Sequence, residues 1–148
     1  MGVINMRLNF DCMRKIIEIC VENLDYQEFD CDYWREIYVS LFDLYNHDKL
    51  KKFEKKDIMY SVMKLTECKY IKTCDVFPED KDYFERCTIC DITIQGYNFY
   101  NAIKDDNIWS KTKHLLGKIG NHTLKFVEET AHDVAVETAK EIIKGGIL

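Results

Sequence analysis

The sequence holds 148 residues, 47% of them apolar and 32% charged, the make-up of an ordinary globular domain with enough chain to bury a core without staples. A net charge of −5 argues against a protein that coats nucleic acid nonspecifically, and no run approaches the roughly 18 continuous apolar residues of a membrane span. Seven cysteines (Cys12, Cys20, Cys31, Cys68, Cys74, Cys87 and Cys90) are odd in number and several sit inside apolar patterns, so they read as free buried thiols in a reducing compartment. The stretch Met1–Met6 carries neither a secretory hydrophobic core nor a myristoylation signal, which makes the cytoplasm the expected address.

Phe10, Met13, Ile16, Ile17, Cys20, Val21 and Leu24 recur at three- and four-residue steps, predicting a first helix over 8–24 with Asn9 or Asp11 as its cap. Tyr26–Cys31 reads as a short strand. Asp32 is a candidate cap for a second helix, whose stripe of Trp34, Ile37, Tyr38, Leu41 and Tyr45 is expected in the core. A lysine-rich loop then leads into a third helix over about 55–67. Ile58, Val62 and Leu65 form its buried face, and Asp57, Tyr60, Ser61 and Lys64 are expected opposite them. Cys68–Phe77 and Arg86–Ile92 read as two antiparallel strands. The loop between them carries Glu79, Asp80, Asp82 and Glu85 against one lysine.

Thr93 follows the second of these strands and is placed to cap a helix in which Ile94, Tyr97, Tyr100 and Ile103 form an apolar face. Asp105-Asp106-Asn107 interrupts the pattern, using its side chains for the hydrogen bonds of a turn. Ile108-Trp109 begins a short helix that ends near Gly117. Gly117–Asn121 reads as a linker, and Thr123 caps a final helix that runs to about Lys144 before Gly145-Gly146. The stripe Val127, Ala131, Val134, Thr138 and Ile142, flanked by Ala135 and Ala139, allows close approach to a neighbour in the same domain or in a second chain. The expected fold class is mainly α with a small antiparallel hairpin (α+β). It comprises a winged helix-turn-helix core over 1–117 with 1–5 as an extension, a linker at 118–122, and a C-terminal amphipathic helix over 123–148 for packing or dimerisation.

Two stretches carry a family resemblance. Met6-Arg7-Leu8-Asn9-Phe10-Asp11-Cys12-Met13-Arg14-Lys15-Ile16-Ile17 and the segment Ile92–Lys111, with its Thr-capped helix, Gly96, aromatics, acidic pair and Trp109, resemble domain-of-unknown-function family 2513. That is a group of uncharacterised phage and bacterial proteins. The resemblance implies a winged-helix fold, a mobile-element setting and a bacterial host cell, and it supplies no catalytic residues. The chain departs from the family pattern around Tyr33–Lys52, where it carries an aromatic helix and a basic loop.

Charge is unevenly spread. Between Lys49 and Lys72 eight lysines face three acids, a local +5 that leaves −10 on the rest of the chain. The expected function is therefore a non-enzymatic DNA-binding regulator. Lys51, Lys52, Lys55 and Lys56 would hold phosphates, and Asp57, Tyr60, Ser61 and Lys64 would read bases from the third helix. One alternative is an inhibitor of a host defence complex such as a CRISPR effector, with Glu79, Asp80, Asp82 and Glu85 entering a basic channel. A second is an adaptor that oligomerises through the C-terminal stripe. The expected partners are DNA or a defence protein, with a homodimer in play and no membrane.

Catalytic and metal chemistry find little support. Cys87 and Cys90, with Cys68 and Cys74, have the residue types of a zinc site. On a strand, however, positions i and i+3 face opposite ways, and no Gly or Pro lies beside them to turn the chain. His47, His114, His122 and His132 lie far apart. No phosphate loop, nucleophile elbow or zincin helix occurs, so no enzyme activity, metal or cofactor is expected.

Overall fold

The computed structural model describes residues 8–29, 33–74, 87–118 and 123–146, and contacts divide the chain into two units, Met1–Tyr97 and Asn98–Leu148. In the first unit, Asn9 accepts a hydrogen bond from the Cys12 amide at 3.0 Å and opens α1 (Phe10–Asn23). The helix buries Met13, Ile16, Ile17 and Cys20, as its spacing predicts. There follow β1 (Asp25–Phe29), β2 (Tyr33–Ile37), β3 (Val39–Ser40), α2 (Leu41–Tyr45), a 3₁₀ turn (Asp48–Leu50), α3 (Lys55–Glu67), β4 (Ile71–Thr73) and β5 (Thr88–Ile92). Helix α4 (Ile94–Ile103) spans the boundary between the units.

Strand β5 is the centre of a three-stranded antiparallel sheet. It pairs with β3 through Val39↔Ile89 and Ser40↔Thr88, and with β4 through Ile71↔Ile92, with an irregularity at Lys72/Thr73. Helix α1 packs against α3 and β5, and Ile58, Val62, Leu65, Ile89 and Ile92 are all buried. The class is α+β and mainly helical, as expected. The loop 78–85 with Glu79, Asp80, Asp82 and Glu85 lies outside the described residues, as do 118–122 beyond Lys118.

The predicted second helix is corrected. Tyr33–Ile37 is a strand paired antiparallel with β1, from Asp25↔Ile37 to Phe29↔Tyr33. Its residues are exposed, Trp34 at 60% and Tyr33 at 69%, so of the expected stripe Trp34, Ile37 and Tyr38 stay outside the core, while Leu41 is buried and Tyr45 half-buried. The helical spacing of Trp34, Ile37, Tyr38 and Leu41 is overridden because Tyr, Trp and Ile also suit strands and find a partner in β1, while β3 pairs with β5. The helix begins only at Leu41. There Ser40 accepts from the Asp43 amide and Asp43 accepts from the Ser40 amide, each at 3.0 Å, closing a capping box. A second correction concerns α4. Ile94 is 81% exposed and Tyr97 is also exposed, whereas Phe99, Ala102 and Ile103 are buried.

One joint ties the end of α3 to the start of α4. Lys69 takes a left-handed φ of 62°, which lets the Tyr70 amide reach back to the Leu65 carbonyl at 2.9 Å. The Tyr70 carbonyl then accepts from the Thr93 amide at 3.1 Å, and the Thr93 hydroxyl donates to the Lys69 carbonyl at 2.6 Å. The same hydroxyl accepts from the Gly96 amide at 3.0 Å and caps α4. A Cβ at Gly96 would lie 2.0 Å from the Tyr70 oxygen, so only glycine fits there.

In the second unit, Asp105 caps α5 (Asp106–Leu116) by accepting from the Ile108 amide at 3.0 Å, which is the turn role expected of the acidic pair. Trp109 and Thr112 are buried. Thr123 caps α6 (Leu124–Lys144), which runs along α5. Val127, Ala131 and Val134 are buried, Thr138 is half-buried, and Ile142 is exposed. No described helix is long and apolar enough to cross a membrane.

Two outcomes follow for stability in urea. Gly96→Ala should cost on the order of 3 kcal/mol, because backbone rather than a flexible side chain must move. Lys69→Gly should gain up to about 1 kcal/mol, the relief of left-handed strain being partly offset by added freedom in the unfolded chain. Equal midpoints for wild type and Gly96→Ala would refute this account of the joint.

Candidate nucleic-acid interface

The lysine-rich segment lies on the connection from α2 to α3 and on the first turn of α3. Residues 46–54 separate these helices, a longer link than the three or four residues of a simple helix-turn-helix. The 3₁₀ turn within it is anchored. The Lys49 ammonium meets Glu22 at 2.8 Å and Glu18 at 3.7 Å on α1, and its hydrogen bond to Glu22 raises its pKa. The His47 ring accepts from the Lys49 amide at 3.1 Å. Lys49 thus serves the fold, and its neighbours are left at the surface.

Lys51, Lys52, Lys55 and Lys56 are all exposed. Lys51 pairs with Asp48 at 3.1 Å and Lys56 with Glu54 at 3.5 Å. Lys52 lies over Phe53, and Lys55 over Tyr45 with its nitrogen 5.6 Å from the ring centre. Exposed pairs of this kind contribute about 0–1 kcal/mol, so a phosphate can replace them at little cost. Glu54 occupies the N-cap of α3 but makes no side-chain capping bond. Behind the two lysines lies a concavity of about 390 Å3 lined by Phe42, Tyr45, Lys55, Lys56 and Met59.

The rest of α3 departs from the expected polar face. Ser61 is buried, with no conventional hydrogen-bond partner among the described residues, and the polar group beside it is the Cys12 thiol. Asp57 and Tyr60 are half-buried. Lys64 is also half-buried, bonded to Glu67 at 2.7 Å and lying over the Tyr60 ring. The exposed positions of α3 are Lys55, Lys56, Met63 and Glu67, with Met59 and Tyr60 beside them. Ser61 stands three residues after Ile58 and four before Leu65, which places it on the apolar face by spacing alone. Lys51, Lys52, Lys55 and Lys56 all stand at the surface, with Lys55 and Lys56 on one hollow, while the expected base-reading set does not share an exposed face.

The exposed β1–β2 ribbon is a surface the sequence reading missed. Tyr26↔Glu36 and Glu28↔Trp34 are cross-strand pairs sharing one face. The Tyr38 hydroxyl donates to Glu36 at 2.6 Å, and that bond pushes its pKa up. The Glu36 charge also raises Tyr26. The Ser40-x-x-Asp43 capping pattern was the available signal that the helix starts late and leaves the aromatic segment outside it.

In the second unit α5 and α6 flank a groove of about 670 Å3 whose lining includes His114, Leu115, Asp133, Val134 and Glu137. Among the described residues no three His, Cys, Asp or Glu side chains are grouped to hold a metal. Cys90 donates to the Lys72 carbonyl at 3.5 Å, and the expectation of buried thiols is corrected at Cys68 and Cys74, which are exposed, while Cys12, Cys20 and Cys87 are buried.

Burial drives the thiol chemistry apart. It raises the Cys12 pKa to about 11 and that of Cys20 to about 12, so both stay protonated and shielded. Brief alkylation of the native protein near about pH 8, followed by peptide mass spectrometry, should label Cys68 and Cys74 and spare Cys12 and Cys20. Labelling of Cys12 at the rate of Cys74 would contradict the packing of α1.

Comparison with known proteins adds one finding. A family model described as "Hypothetical protein (DUF2513)" matches residues 7–122. No curated protein and no solved structure matches.

Proposed function

We propose that this chain, which belongs to the DUF2513 family, is a non-enzymatic DNA-binding regulator of the winged-helix type, in keeping with a mobile-element setting. The observation that carries the reading is the coincidence of four exposed lysines with the start of α3. Lys51, Lys52, Lys55 and Lys56 lie at the start of a helix whose other exposed positions are Met63 and Glu67, with Met59 and Tyr60 half-buried beside them. The order α1, β3, α2, α3, β4, β5, with β5 between β3 and β4, matches the strand and helix order of winged helices and supports the same reading.

In this reading the lysines hold phosphates, and the α3 N-terminus, where Glu54 makes no side-chain cap, adds a positive dipole end. Tyr60 and Lys64 stay as base contacts, joined by Met59 in place of Ser61. Lys64 must exchange Glu67 for DNA to take part. The acidic loop containing Glu79, Asp80, Asp82 and Glu85 would keep the region between β4 and β5 away from the backbone, so the contact rests on α3. A second reading, a protein-binding inhibitor of a host defence complex or an adaptor, is favoured by the exposed aromatic ribbon of β1 and β2.

Filter binding across a salt series tests the first reading. Four lysine–phosphate contacts predict a log–log salt slope of about −3.6 on duplex DNA, and Lys55→Gln/Lys56→Gln should roughly halve it. No binding at low salt to any duplex, including the DNA upstream of its own coding region, would overturn it.

A further inference from the structure

We propose that the chain associates with a second copy of itself, the β1–β2 ribbon of one molecule seating in the lysine-rimmed concavity between α2 and α3 of the other. The described ribbon side chains are all exposed, and they present Trp34, Tyr33 and Tyr26 to solvent. Trp and Tyr are the side chains that dominate interface energies, and a two-stranded ribbon without a face to pack on is marginally stable by itself. Something that covers it would stabilise it.

Charge selects the occupant. Over Asp25–Ile37 the sequence carries five acids and one arginine. A second ribbon aligned edge to edge would set like charges against each other. The complement must be basic and must hold an apolar hollow for an aromatic ring. This chain displays such a surface: Phe42, Tyr45 and Met59 line the hollow of about 390 Å3, and Lys55 and Lys56 rim it. Phe42 is 71% exposed, so the hollow is open to a visitor. Glu28 and Glu36 share a ribbon face with Trp34, so the ring can enter the hollow while the carboxylates reach the two lysines.

Two different patches on one molecule close into a two-fold dimer when each ribbon meets the other's hollow. The dimer then covers Lys55 and Lys56. Its consequence for DNA rests on the reading of α3 proposed above: self-association and DNA binding compete for the same lysines, so the free dimer is the inactive form.

Sedimentation equilibrium of the full chain at low salt, without DNA, is the test. The wild type should dimerise, and added salt should weaken it. Trp34→Ala should weaken it by about ten-fold or more. Glu28→Lys/Glu36→Lys and Lys55→Glu/Lys56→Glu should each be monomeric while keeping the wild-type circular dichroism, and an equimolar mixture of the two should associate again. A wild type that stays monomeric, association indifferent to both charge reversals, or a mixture that fails to recover it would overturn the proposal. DNA binding is read separately with Trp34→Ala, which should bind more tightly than wild type at concentrations where wild type is dimeric. Absence of DNA binding would sink the DNA reading and leave the sedimentation result standing.

Discussion

The backbone joint between Tyr70 and Gly96 sets the constraints from which the first unit follows. The Tyr70 carbonyl sits so close to Gly96 that no side chain fits between them, and Thr93 spans the gap with hydrogen bonds to both sides. Because Lys69 turns the chain in the left-handed region, β4 leaves α3 in the direction that brings it beside β5. β5 in turn pairs with β3, which fixes where α2 begins. The direction of α3, and hence the surface on which its lysines stand, is inherited from a contact some 25 residues further along the chain.

The surface itself results from a division of labour among similar residues. Lys49 and Lys64 are committed to carboxylates of the same chain, one holding the turn onto α1 and one closing the last turns of α3. Lys51, Lys52, Lys55 and Lys56 make only exposed, weak contacts. A basic patch on an acidic protein is thereby concentrated at one end of one helix. Acidic and aromatic residues occupy a ribbon elsewhere in the same unit. The two are opposite in charge and alike in carrying exposed apolar surface, which is why they invite pairing between molecules.

Helices α1, α3, α5 and α6 and the caps at Asn9 and Thr123 were legible because capping chemistry and three-to-four spacing are local, while Asp105 was legible only as a turn residue. Thr93 and Gly96 were legible as a joint for the same reason, though what Gly96 makes room for, a carbonyl at Tyr70, is not written near it. The segment Tyr33–Tyr38 misled because its apolar residues satisfy a helical period while their identities suit a strand, and the decision lay with β1 as a pairing partner. Ser61 misled because a hydroxyl was read as a mark of solvent. A serine is small enough to let α1 and α3 approach, and its place at Ile58+3 outweighs its polarity. The four acids of the 78–85 loop lie outside the described residues.

The β1–β2 ribbon buries none of its described side chains in the fold that carries it. A contact element with so little share in the core is free of the usual conflict between binding and folding. Its aromatic and acidic residues can be exchanged without opening a cavity or stranding a buried donor, so changes there leave the scaffold intact. In a unit whose sheet and helices are tied through the contact of Gly96 with the Tyr70 carbonyl, that makes the ribbon the place where sequence can change at the smallest cost in stability.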